Sequence, residues 1–180
     1  MNEIEIKEKI LEIFKEERQR PDLYFEESHF LDFLTFPPHQ KDNIKNSFKG
    51  VKKYNQFMDR LELEFEICFT LSDLDRGYSV DKITKKVTER IGKRRGNIMI
   101  IKQRTTEKET YYIEIFLIIL LAIIYRWCGI NLISIILTLA FGFAIYWILT
   151  SKINSRKHDK KLKSKIIKGK KTQNLRSSES

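Results

Sequence analysis

Two apolar segments near the C-terminus constrain this 180-residue chain more than anything else in it: roughly Tyr111–Trp127 and Ile130–Leu149, a few residues apart. The second reads INLISIILTLAFGFAIYWIL and carries no charge. A bilayer hydrocarbon core of about 30 Å is crossed by about 20 such residues in a helix. The pattern predicts a two-helix transmembrane hairpin over residues 109–150 and an action at or through a membrane. The first span is the shorter one. Only Ile115–Tyr125 is free of charge, between Glu114 and Arg126. Arg126 can snorkel outward, and Glu114 can lie at the inner headgroups.

The formal charge of +10 is unevenly placed. Residues 1–109 hold 22 Lys/Arg against 21 Asp/Glu, whereas residues 151–180 hold 11 Lys/Arg against Asp159 and Glu179 alone. Lys and Arg near membrane segments are retained on the cytoplasmic side. The basic tail over 151–180 and the Lys102, Arg104 and Lys108 approach to the first span therefore place both flanks in the cytoplasm. That gives a multi-pass protein with both termini in the cytoplasm. Tyr111/Tyr112 and Tyr146/Trp147 fall at the inner interface, and Tyr125 and Trp127 at the outer one. The N-terminus is acidic and amphipathic, not a signal peptide, which keeps the first domain cytoplasmic. Cys68 and Cys128 fall on opposite sides of the membrane and lack metal-ligand spacing.

Residues 1–108 read as a small cytoplasmic α+β recognition domain. A helix is predicted over residues 3–18 from its apolar face, and it ends at Pro21. The aromatic stretch 23–36 reads as a short helix stopped by Pro37-Pro38, and 40–60 as a helix or ordered loop. Leu61, Leu63, Phe65, Ile67 and Phe69 alternate with Glu62, Glu64 and Glu66, which predicts a half-buried strand. Residues 72–79 read as a turn. Ser79 then resembles an N-cap for a helix carrying Val80, Ile83, Val87 and Ile91, with Gly92 at its end. A second strand over Asn97–Lys102 completes a strand–helix–strand unit.

No catalytic motif, phosphate loop or zinc pattern is present, so the chain reads as a non-enzyme without a cofactor. His29, Asp32 and His39 lack a third ligand or nucleophile, and the three glutamates fit a solvated sheet face. Lys85, Lys86, Arg90, Lys93, Arg94 and Arg95 are either a phosphate or partner contact, on nucleic acid or lipid, or cations complementing a helix C-terminus. Lys157, Lys160, Lys161, Lys163 and Lys165 are expected to contact anionic lipid, with Ile153, Leu162, Ile166 and Ile167 dipping into the interface. Asn131, Ser134, Thr138 and Gly142 form a small, polar stripe on the second span. Such a stripe packs helices, either within one chain or as a seam between protomers of a homo-oligomer that lines a path.

A small cytoplasmic domain joined tightly to a membrane hairpin resembles the two-span effectors of bacterial anti-phage systems of the retron and cyclic-oligonucleotide kinds. The resemblance is one of architecture over Tyr111–Leu149 and its flanks, and no motif is matched. It implies an effector that disrupts the inner membrane when a cytoplasmic protein or nucleic-acid partner from the same operon releases it. A superinfection-exclusion or immunity protein and a membrane-tethered adaptor are the alternatives.

Overall fold

The computed structural model describes residues 1–38, 48–74, 79–107 and 110–178. All regular structure in them is helical: α1 (Glu3–Glu17), a 3-10 helix (Glu27–Leu34), α2 (Phe48–Phe65), α3 (Leu71–Leu74), α4 (Val80–Gly92), α5 (Arg94–Thr106), α6 (Tyr112–Cys128) and α7 (Leu132–Ser178). They divide into two compact units, residues 1–103 with 161–180, and residues 104–160.

The α+β expectation is thereby corrected, since no strand occurs among the described residues. Residues 61–65 finish α2. Tyr54, Phe57, Met58 and Leu61 are buried at steps of three and four, and they set a helical phase before the alternation begins. Glu62 is buried as well, which no solvated sheet face would allow. Residues 97–102 lie inside α5, where Asn97 and Ile101 are the buried pair at a four-residue step. A short apolar run does not distinguish strand from helix by itself, and packing decides it here.

α2 ends without glycine. Glu66 takes a left-handed φ of 53°, and the Ile67 N–H donates to the Glu62 carbonyl at 3.1 Å. This six-to-one bond closes the helix C-terminus. The Glu62 carboxylate accepts from the Phe69 N–H at 2.8 Å and holds the exit segment.

In the first unit, α1 packs on α2 and α4, and the 3-10 helix packs on the same pair. Asn2 caps α1 with a reciprocal Asn2–Glu5 capping box. Phe14 stands at its centre, edge to face with Phe25, Phe30 and Phe57. Ile6, Ile10, Ile13, Leu31, Leu34, Leu61, Ile83 and Val87 complete the core. Ser79 caps α4 as expected, its hydroxyl accepting from the Lys82 N–H. A second cluster joins Cys68 and Ile101 to Leu162 and Ile166 of α7. The tail from Lys161 onward is therefore part of the folded helical unit.

The second unit contains α6 and the apolar first half of α7. α7 is the one described helix long and apolar enough to cross a membrane. At 47 residues it extends about 70 Å. α6 has 17 residues, about 25 Å, so the expected pair of spans reduces to one candidate span. Gly129, at φ 63°, turns the chain between them, and its N–H donates to the Tyr125 carbonyl.

Candidate functional site

α6 and α7 are tied at both ends. Near the connecting turn, the Tyr125 hydroxyl meets Thr138 Oγ1 at 2.7 Å. Toward the other end, the Lys152 ammonium donates to the Glu114 carboxylate and to the Thr110 carbonyl. It also lies 4.8 Å from the Tyr111 ring centre. Below them Arg104 pairs with Asp159 at 3.7 Å. The outward side chains are apolar: Ile115, Phe116, Ile119, Ile133, Ile136, Leu139 and Phe143 are all exposed. Ser134 and Glu114 are buried. Polar inside and apolar outside is the arrangement a lipid solvent selects.

The structure distributes the predicted polar stripe among different tasks. Asn131 precedes α7 and accepts from the Ser134 N–H at 2.9 Å, while Ser134 Oγ accepts from the Asn131 N–H at 2.9 Å. This reciprocal cap satisfies the first free donors of the helix. Thr138 donates to the Ser134 carbonyl besides meeting Tyr125. Gly142 is exposed, and an added Cβ there would meet nothing within 4 Å. The less exposed line of α7 instead passes through Ser134, Thr138, Phe141, Ile145, Ile148 and Lys152.

The basic cluster on α4 and α5 is largely occupied by carboxylates of its own unit. Arg90 Nε donates to Asp73 at 2.8 Å and a terminal nitrogen to the Thr70 hydroxyl at 2.9 Å. Lys86 lies 3.4 Å from Asp73, and Lys93 2.6 Å from Glu89. Burial works to raise the Asp73 pKa. The Thr70 N–H and hydroxyl together with Arg90 outweigh it and hold the carboxyl below its ordinary value. Asn97 locks the same corner by donating to the Arg90 carbonyl at 2.8 Å and accepting from the Cys68 N–H at 3.3 Å. Lys85 and Arg95 are exposed and have no ion-pair partner among the described residues, and Arg94 is half-buried.

On α7, Lys157, Lys160 and Lys161 are exposed, whereas Lys163 and Lys165 are half-buried. Lys165 donates to the Leu63 carbonyl at 3.0 Å. Leu162 and Ile166 fill the second core, so of the four apolar residues expected at a lipid interface only Ile153 and Ile167 remain exposed. His29 contacts Ser28 through Nδ1, Asp32 is buried, and His39 lies outside the described residues.

Two features escaped the sequence reading. The Glu114–Lys152 partnership was hidden by a separation of 38 residues. The burial of Arg18 had only a local signal, the RQRPD run beside aromatic residues. No protein-family model, no curated protein and no solved structure matches this chain.

Proposed function

We propose that this chain is a membrane-anchored recognition protein, in which a helical domain reports the presence of a partner to the membrane helix α7. One observation carries the reading: Leu162 and Ile166 of α7, fully buried, share a core with Cys68 and Ile101. The helix that presents apolar residues to its surroundings over Leu132–Leu149 is thus also a structural member of the soluble unit. A partner that favours one packing of that core biases α7 by its difference in affinity for the two states. A shared core also requires residues 1–103 and the tail to occupy one compartment, and the lysines of α7 favour the cytoplasm for both.

The most specific form of this reading is an anti-phage effector of the bacterial inner membrane, restrained by a partner and damaging the membrane once released. The test is production of the full chain alone in bacteria. Resistance to alkaline carbonate extraction establishes insertion, and a voltage-sensitive dye follows the membrane potential. Growth arrest with depolarisation, relieved by Thr138→Leu, supports the effector form. Inserted protein with an intact potential, during phage infection as well, leaves the tethered adaptor or the exclusion protein. Complete extraction by carbonate overturns membrane anchoring itself.

A further inference from the structure

Helix α5 turns one face into the first unit and leaves the other outside. Asn97 and Ile101 are buried, and the half-buried Ile98 and Ile100 pack against the cluster of Cys68 and Leu162. Arg95, Met99 and Lys102 are exposed, and their steps of four and three place them in one row along the outer face. Met99 stands at the centre of that row and is 72 % exposed.

The charge of α5 has one sign. The helix carries Arg94, Arg95, Lys102 and Arg104 and no aspartate or glutamate. The neighbouring cations differ: Arg90 and Lys86 are matched by Asp73, and Lys93 by Glu89. Arg95 has no ion-pair partner among the described residues. A solvated cation or an exposed methionine needs no explanation by itself. Cation, methionine and cation in one row are the composition of a helix face that lies in a lipid interface. Chain connectivity points the same way. α5 ends at Thr106 and α6 begins at Tyr112, an interval of chain that reaches at most about 20 Å. A bilayer that α6 touches is thus presented to α5 at high effective concentration.

We propose that the Arg95–Met99–Lys102 row of α5 is a docking surface for anionic lipid headgroups. The two cations meet headgroup phosphates at the membrane surface, and the methionine enters the interface between them. A nucleic-acid backbone would match the cations but leave Met99 in water, and the row has no aromatic side chain on which a base could stack. The surface rests on the membrane-anchored reading and adds to it a dependence on lipid charge. Through Ile101, which shares its cluster with Leu162 and Ile166 of α7, lipid held by α5 bears on the core that carries that reading.

The experiment uses the full chain carrying Met99→Cys and Cys128→Ser, labelled at residue 99 with a polarity-sensitive dye. Cys68 is buried and stays unlabelled. The protein is reconstituted into vesicles of phosphatidylcholine with increasing phosphatidylglycerol, and carbonate resistance establishes insertion at each composition. The expected result is an emission that moves to the blue as phosphatidylglycerol rises and returns at high salt. Arg95→Gln and Lys102→Gln should each lower the docking equilibrium constant about fivefold. Lys52→Gln, at an exposed position of α2, should leave it unchanged. Inserted protein whose label responds equally to neutral and anionic vesicles, or equally in Arg95→Gln and Lys102→Gln, overturns the docking surface and leaves anchoring in place. Protein that carbonate extracts overturns anchoring, and this surface with it. A shift with added duplex DNA that exceeds the shift with phosphatidylglycerol overturns the lipid assignment in favour of nucleic acid.

Discussion

The two units use the same kinds of side chain in opposite ways. In the first, phenylalanines are central: Phe14, Phe30 and Phe57 are wholly buried and meet edge to face. In the second, Phe116 and Phe143 face outward, whereas Ser134 and Glu114 are buried. A protein surrounded by water hides its apolar surface to gain the hydrophobic contribution. A helix pair in lipid gains nothing that way, and satisfies its polar groups internally. The contrast teaches that the packing rule changes along this chain, from apolar side chains inside to apolar side chains outside. It also shows that α7 meets both regimes, since Leu162 and Ile166 follow the rule of the first unit while Leu139 and Phe143 follow that of the second.

The comparison is most easily broken with phenylalanine. Phe57→Ala should destabilise the first unit by about 3–5 kcal/mol, measured by urea unfolding of the detergent-solubilised chain. Phe143→Ala should leave the same transition in place, and equal losses at both positions would erase the distinction. Next in size is Leu162→Ala, expected to cost about 3 kcal/mol in that transition, against almost nothing for the exposed Ile153→Ala on the same helix. A Leu162 variant as stable as the parent would detach the tail from the core of the first unit.

Acid sharpens the comparison from another side. The Asp73 pKa is depressed in the folded state, so its contribution is present at neutral pH and is lost as pH falls through the folded value, below the ordinary carboxylate range. Asp73→Asn should cost about 1–2 kcal/mol at pH 7 and flatten the decline of stability below about pH 4. A parallel decline in both proteins would remove Asp73 as its source. Glu66→Gly should act in the opposite direction, because a left-handed φ burdens a residue with a Cβ. A gain of about 1 kcal/mol is expected, read as a higher urea midpoint, and an unchanged midpoint would show that the turn is not strained. The smallest effect belongs to the second unit. Thr138→Val removes the Tyr125 contact and should weaken α6–α7 association by about 0.6 kcal/mol, read by crosslinking between the two helices. A larger loss would mean that this pair depends on polar contacts more than lipid-embedded helices usually do.

By itself the sequence determined what depends on local order. The α1 boundaries, the Ser79 cap of α4, the turn between the two apolar segments and the capacity of residues from Leu132 onward to cross a membrane were legible, because caps and long apolar runs act within a few residues, whereas the expected break after Leu149 is absent and α7 runs on to Ser178. Tertiary structure decided the rest. The Leu61–Phe69 alternation became the end of a helix because Tyr54, Phe57, Met58 and Leu61 had already fixed its buried face. Arg90 and Lys86 were drawn to Asp73 across the fold. Lys165 reached a carbonyl 102 positions away, at Leu63. Arg18 was buried where two segments separated by the 3-10 helix were tied by Gln19. In each case the deciding energy is a contact between residues distant in sequence. Neither periodicity nor composition encodes such a contact, because its partner is chosen only when the chain packs.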